Sequence, residues 1–365
     1  MQTYNVILKS EVSKTYLCKR AADSLDIDAE KKSVHSLSIT ADLKTDYNVG
    51  LIIGASGSGK TTLAKQIFGD DCFKIVLNEK LPILEQFPKN YTYDQCADLL
   101  SGVGLTQVPC WIRPVFTLSN GQKYRAEAAL MMCSDEISII DEWTSVVDRN
   151  VAKIMSFCIQ KHARNQKKRV VLLSCHYDVI DWLNPDWIID CNKESYQDRR
   201  LLWQKFKRSE QLKFDVRKTN SKSWKYFSKY HYLSDKLPGG ENYFFGLFLN
   251  ETQIGFICFS NYVPHSNKNL KKIFHFNRLV IHPDYSGIGL GIKFINETSK
   301  IMSELNYKIM GKFSSTPVYL SMIKNKNWKL KDIKRQIGKM NVCGNMMRKS
   351  GFRENIKTYS FEYIG

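Results

Sequence analysis

Gly54-Ala-Ser-Gly-Ser-Gly59-Lys60-Thr61 lies between Val49-Gly-Leu-Ile-Ile, an apolar run with the character of a buried strand, and a helical stretch running from Lys60 into Ile67 and stopping near Gly69. A strand, a glycine loop and a helix together form the setting in which G-x-x-x-x-G-K-[ST] grips phosphate. The glycines let successive backbone N–H groups turn inward, and the helix start adds its positive end. Lys60 supplies a point charge for the β- and γ-phosphates of a nucleotide, and Thr61 offers a hydroxyl to Mg²⁺. The nucleotide is therefore expected on Gly54, Ser56, Gly57, Gly59, Lys60, Thr61 and Thr62.

Eighty residues on, Ile137-Ser-Ile-Ile140-Asp141-Glu142 places two acids after another apolar run. An aspartate at the end of a parallel strand beside the loop suits the Mg²⁺ shell, and Glu142 suits a base for the attacking water. Thr61 and Asp141 are the expected metal ligands. Val170-Val-Leu-Leu is a second central parallel strand, and the segment between the two has helical texture, a β-α-β pattern. Half-exposed strands are expected at Thr3–Leu8 and His35–Thr40, a helix over Tyr93–Leu100 ending at Gly102/Gly104, and an alanine-rich helix after Gly121.

With these in order the sequence resembles the ABC-type ATPase family over residues of about 51 to 190. Leu118-Ser119-Asn120-Gly121-Gln122 resembles its signature loop, with Asn120 in place of a glycine. Ser145-Val-Val-Asp148 resembles its D-loop, and His176, after Val170-Val-Leu-Leu-Ser-Cys, matches its switch histidine, which senses the γ-phosphate. The resemblance implies that ATP is bound by two cassettes closing head to tail. Ser119, Gly121, Gln122 and Asp148 would then complete the site of another chain, with Glu142 and His176 catalytic. A homodimer is implied. The helical insert between loop and signature is short. Gln86 and Gln107 are both candidates for the Mg²⁺-sensing glutamine, and Tyr16 is a candidate to stack on adenine.

Near residue 194 the texture changes. Glu194 to Ser209 is dense in charge and reads as a connector helix or linker. Beyond it Leu212–Val216, Tyr243–Leu249, Ile254–Phe259 and Phe274–Ile281 alternate as strands, with a hairpin turn at Asn250-Glu-Thr-Gln. Then Arg278-Leu-Val-Ile-His-Pro-Asp-Tyr285-Ser286-Gly287-Ile288-Gly289-Leu290-Gly291 is a strand, a turn and a glycine loop entering a helix over about Gly291–Leu305. N–H groups at such a helix start suit a pyrophosphate. This stretch resembles the acyl-CoA motif of GNAT acyltransferases, with Ser286 where that family has Gln or Arg, and Lys349-Ser-Gly351-Phe352-Arg is also GNAT-like. The resemblance implies that Val280, Gly287, Gly289 and Gly291 bind acyl-CoA, the acetyl form being expected. A general base is not marked: Glu241, Glu251, Asp284, His231, His275 and Tyr319 all remain open. The fold class expected is α/β, an ABC-type P-loop ATPase domain (1–193), a linker (194–210) and a GNAT-like α/β domain (211–365).

The charge separates the halves. Met1–Arg200 carries 25 basic and 25 acidic residues, and Leu201–Gly365 carries 29 basic against 11 acidic, the whole of the +18. Such asymmetry points to a polyanion, DNA or RNA before membrane. Trp224, Tyr226, Phe227, Tyr230 and Tyr232 in the same half suit base stacking as well as a core. No apolar run approaches a bilayer's width, Met1-Gln-Thr-Tyr starts no secretory pattern, and the ten cysteines are scattered without a Cys-x-x-Cys. A cytoplasmic protein without disulfides, zinc or a membrane partner is expected. Three functions fit: an ATP-gated acyltransferase acting on nucleic acid, an ATP-switched nucleic-acid clamp with an inactive GNAT-like module, or a transferase for a protein or small-molecule amine.

Overall fold

The computed structural model describes residues 2–9, 13, 15–24, 34–43, 46–70, 75, 77–134, 136–199, 213–231, 235–261, 272–314, 316–336 and 356–365. The chain is α/β and divides into two compact units, Met1–Gln211 and Leu212–Gly365. Among the described residues no helix is long and apolar enough to cross a membrane.

In the first unit β1 (Gln2–Lys9) and β2 (Val34–Ala41) pair antiparallel. A second sheet holds β3 (Val49–Ile53), β4 (Ile137–Ile140), β5 (Arg169–Ser174), β6 (Trp187–Asp190) and β7 (Ser195–Asp198) in the order β4-β5-β3-β6-β7. All its pairs are parallel except β6 with β7. Both faces are covered, so the strands read as continuous apolar runs. Val49, Leu51, Ile53, Ile140, Val170 and Leu172 face one core, with residues of α3 (Tyr93–Gly102), α5 (Asn120–Met131) and α6 (Arg149–Asn165). Ile52, Ile139, Val171, Leu173 and Ile189 face the other, with Val6, Leu37 and Ile39 of the small sheet and Leu63 and Ala64 of α2 (Lys60–Phe68). Gly50 is required by contact: a Cβ there would stand 2.1 Å from the indole of Trp187. Two short helices, α4 (Val108–Trp111) and α7 (Val179–Leu183), and an N-terminal one, α1 (Tyr16–Ser24), complete the unit.

The stretch expected from Glu194 as a connector begins instead as β7, because its polar side chains do not stop its main chain pairing with β6 from Trp187/Asp198 to Asp190/Ser195. Leu201–Ser209 lies outside the described residues, as do Leu212, Tyr232 and Lys349–Arg353.

The second unit is built on one sheet in the order β13-β14-β12-β11-β10-β9-β8: β8 (Phe214–Lys218), β9 (Glu241–Leu249), β10 (Thr252–Asn261), β11 (Ile273–Ile281), β12 (Lys308–Phe313), β13 (Trp328–Gln336) and β14 (Ile356–Tyr363). The turn between β9 and β10 has Asn250 at φ 54, a conformation asparagine tolerates. Only β11 and β12 run parallel, and the crossover this demands contains α9 (Leu290–Glu304). One sheet face packs Phe245, Phe259, Phe274 and Phe361 against Phe294 and Ile295 of α9 and Met322 of α10 (Thr316–Ile323). The other packs Phe256, Cys258 and Val280 against Trp224 and Phe227 of α8 (Trp224–Phe227).

Candidate functional site

Because β3, β4, β5 and β6 are parallel, the residues that follow each of them gather along one edge of the sheet. Ligands bind at this edge in open α/β sheets. After β3 the loop turns on Gly57 (φ 78) and Gly59 (φ 85), left-handed positions that favour glycine, and Gly59 caps α2. The loop is tied down by Gly54 N–H to the Ser174 carbonyl (3.3 Å) and Ala55 N–H to Asn192 Oδ1 (3.1 Å). Lys60, only 5% exposed, curls its ammonium back over the loop and donates to the Gly54 and Ala55 carbonyls at 3.0 and 2.8 Å. Ser56, Gly57 and Thr62 are exposed.

Thr61 and Asp141 come together. The Thr61 hydroxyl donates to Asp141 Oδ2 at 2.7 Å, joining the start of α2 to the end of β4. Asp141 Oδ1 accepts the Glu142 N–H at 2.7 Å, and the Asp141 carbonyl accepts the Tyr124 hydroxyl at 2.9 Å. Burial, and after it the charges of Asp141 and Glu142, push the Tyr124 phenol well above its ordinary pKa, so it remains a donor. Glu142 (φ 51) and Thr144 (φ 71) are non-glycine residues in the left-handed region, a strain of about 1–3 kcal/mol each that gathers at functional sites. The Glu142 carboxylate accepts the Ser145 hydroxyl at 2.6 Å. Trp143 anchors the turn, fully buried, with its N–H on the Leu173 carbonyl and its indole N–H on Ser156. Ser174 links this turn to β5: its hydroxyl donates to the Trp143 carbonyl (3.0 Å) and accepts the His176 N–H (3.1 Å). His176 is thereby fixed, half-buried, at the same edge.

The signature-like residues have local duties. Ser119 caps α5 by accepting the Gln122 N–H (3.3 Å) while Gln122 Oε1 accepts the Ser119 N–H (3.1 Å), a reciprocal capping box. A Cβ on Gly121 would stand 3.0 Å from Val147, so this helix start lies against the segment that leads to Asp148. Asp148 caps α6 by accepting the N–H groups of Asn150 and Val151. Buried Arg125 donates to the Gly121 and Gly104 carbonyls. Among the described residues no hydrogen bond links Ser119, Gly121 or Gln122 to residues 54–62. The amide of Gln86 is held by Asn78, Gln107 precedes α4 and accepts from Cys110, and Tyr16 is exposed with its hydroxyl accepting from Arg20.

In the second unit, β11 and β12 pair only from Ile273/Lys308 to Phe276/Gly311. Beyond Phe276 the β11 strand continues beside β10, with a bulge near Asn277 and Arg278 at φ 51. There Val280 buries its side chain toward α8. The loop past Tyr285 turns on Gly287 (φ 95) and Gly289 (φ 83), and Gly289 caps α9 with open space where a Cβ would sit. Gly291 lies in the first turn of α9, where an added Cβ would meet Leu279 only at ordinary contact, 3.8 Å.

Of the acids and bases left open for this unit, Glu241 pairs with Lys272 and Glu251 with Arg217, which lowers the pKa of Glu251. Tyr319 stacks on Tyr359, His231 meets Trp224 edge-on, and burial, then Lys312, lowers the pKa of His275. Sequence reading passed over His282. Its Nε2 is 3.1 Å from the Tyr230 hydroxyl and its Nδ1 accepts the Asp284 N–H at 3.4 Å, while its ring lies nearly parallel to Tyr226 with centroids 5.9 Å apart. The tyrosines and the histidine are about fifty residues apart, and no spacing rule joins them.

The sequence matches no protein-family model and no curated protein. Solved structures similar to parts of it include an ATP-binding cassette dimer in a post-hydrolysis state with ADP and Pi (18% identity, 45% of this chain and 92% of that one, TM-score 0.34). They also include a putative phosphinothricin N-acetyltransferase (11% identity, 42% and 98%, TM-score 0.32). A GNAT acetyltransferase of Elizabethkingia anophelis with acetyl-CoA bound is similar at 8% identity (42% and 98%, TM-score 0.28).

Proposed function

We propose that the chain is an ATPase that closes as a homodimer around ATP and whose second unit transfers an acyl group from acyl-CoA to an amine of DNA or RNA. The hydrogen bond from Thr61 to Asp141 carries the ATPase reading, because it sets a hydroxyl and a carboxylate side by side at the foot of a phosphate-sized loop. Two hard oxygen ligands suit Mg²⁺, which takes its other ligands from phosphates and water. An ion held by Thr61 and Asp141 would offset charge on the β- and γ-phosphates. Lys60 turns its ammonium from the loop carbonyls to the phosphates, Glu142 takes the proton of the attacking water, and His176 contacts the γ-phosphate. Ser119, Gly121 and Gln122, which among the described residues make no hydrogen bond to residues 54–62, close over the ATP of the partner chain.

In the second unit the opening between β11 and β12 and the glycine turn before α9 support acyl-CoA binding, with the pyrophosphate on the N–H groups around Gly287–Gly291 and the thioester beside the main chain at Val280. The acceptor nitrogen attacks the thioester carbonyl, the C–N bond forms as the C–S bond breaks, and the thiolate of CoA leaves and takes the proton. The +18 charge, all carried beyond Arg200, supports nucleic acid as acceptor. Mass spectrometry of DNA and RNA from cells expressing the protein tests this: an acylated base is expected, absent with a Gly289→Val/Gly291→Asp double variant. Identical nucleosides in both, or no micromolar binding of acyl-CoA, would refute the transferase.

A further inference from the structure

We infer that the exposed face of residues 221–230 is the acceptor-binding surface and that it takes single-stranded nucleic acid; this rests on the nucleic-acid reading above. The segment is a continuous helical stretch, 3₁₀ at Ser221–Ser223 and Ser228–Tyr230 with α8 between. Trp224 and Phe227 point into the sheet. Lys222, Lys225, Tyr226 and Lys229 fall at i, i+3, i+4 and i+7, one side of a helix, and all four are exposed. Over that span the lysines cover about 10–14 Å, the reach of a few nucleotides.

These lysines differ from several other cations of the unit. Arg217 pairs with Asp215 and Glu251, Lys272 with Glu241, Lys308 and Lys331 with Glu362, and Lys334 with Asp332. Among the described residues no ion pair involves Lys222, Lys225 or Lys229. The Lys229 ammonium rests over the rings of Tyr226 and Tyr230, at 4.7 and 4.8 Å from their centroids. Tyr226 is 49% exposed, and its ring is steadied by His282, the residue before the turn that leads to Gly287. A supported aromatic ring amid cations is the arrangement that stacks an unpaired base while lysines take the flanking phosphates. A base arriving on Tyr226 frees Lys229 for a phosphate. Bases in a duplex present no free ring face, which excludes double-stranded acceptors from this surface. The contacts of Tyr226 and Tyr230 with His282 put the strand beside the loop proposed for acyl-CoA.

Fluorescence anisotropy of the full chain with a labelled mixed-sequence oligonucleotide, single-stranded and as duplex, DNA and RNA, over a salt series tests the inference. Wild type should prefer the single strand. Lys222→Glu/Lys225→Glu/Lys229→Glu should flatten the log–log salt slope by about 2, since each phosphate no longer neutralised takes away about 0.7. Tyr226→Ala should weaken binding roughly 5- to 150-fold with the slope kept, and Tyr226→Phe should retain most of it. The same charge reversal at exposed Lys300, Lys324 and Lys329 should cost far less, and unchanged melting of each variant confirms folding. If wild type binds single strands but the 222/225/229 variant keeps its affinity and slope, this surface is wrong and the nucleic-acid reading stands. A preference for duplex overturns the surface as well. If wild type binds no nucleic acid in any form, both fall.

Discussion

At the scale of single residues, the proposed ATP site turns on Lys60, Thr61, Asp141 and Glu142, whose positions follow from ordinary backbone chemistry. Lys60 points its ammonium inward because its stem is buried and the loop carbonyls are the acceptors in reach. Lys60→Ala removes charge-assisted bonds of about 1.5–3 kcal/mol, so ATP affinity should fall roughly 10- to 150-fold by calorimetry. Glu142→Gln removes the base but not the binding site: phosphate release should drop about 10²- to 10⁴-fold while ATP still binds. The glycines, lysine and threonine of this loop were legible because their order has one mechanical use. Val49-Gly-Leu-Ile-Ile before it and the pair Asp141-Glu142 completed the reading. The Tyr124 hydroxyl on the Asp141 carbonyl was not legible, because a helix residue and a strand end are joined only by packing.

At the scale of elements, helix ends and helix contacts account for residues that motif reading assigns to nucleotide binding alone. Ser119 and Gln122 form a capping box, so Ser119→Ala should lower the stability of the first unit by about 1 kcal/mol in chemical unfolding, besides any effect on turnover. The end of α3 meets α6 where Gly102 lies against His162: a Cβ on Gly102 would stand 2.7 Å from the imidazole. Gly102→Ala should therefore cost about 1–3 kcal/mol from overpacking. Burial lowers the pKa of His162, Asp98 at 3.5 Å opposes this, and Lys168 adds to the lowering. The unfolded chain then binds the proton more readily than the folded one, so stability holds above the ordinary histidine pKa of about 6.5 and declines below it. His162→Gln should flatten the fall in melting temperature between neutral pH and pH 5, and an unchanged slope would refute this. Strands buried on one face were legible by alternation, as in Phe274–Ile281. Strands β12 and β14 were passed over. So were the all-buried four residues of β6, the polar edge strand β7, and β13, whose alternation is broken by a bulge between Leu330 and Asp332. At each of these the ladder, not the side-chain pattern, selects the strand.

At the scale of the whole molecule, the chain joins a nearly balanced unit of net charge +2 to one of net charge +16. On the proposed function ATP is the switch, and the transfer chemistry belongs to the basic unit. Assembly is proposed from the same residues: among the described residues Ser119, Gly121 and Gln122 make no hydrogen bond to residues 54–62, and the proposed head-to-tail closure brings them to the ATP of a second chain. Hydrolysis should accordingly rise faster than linearly with protein concentration until the dimer dominates. That two units exist was legible in the change of texture near residue 194 and in the split of charge, whereas β7 beyond that point was concealed by its polar composition. The most direct measurement is the light-scattering mass of the Glu142→Gln chain with Mg²⁺ and ATP. The mass of two chains with ATP, reverting to one with ADP, is the expected result; a single chain with ATP bound would contradict the head-to-tail ATPase.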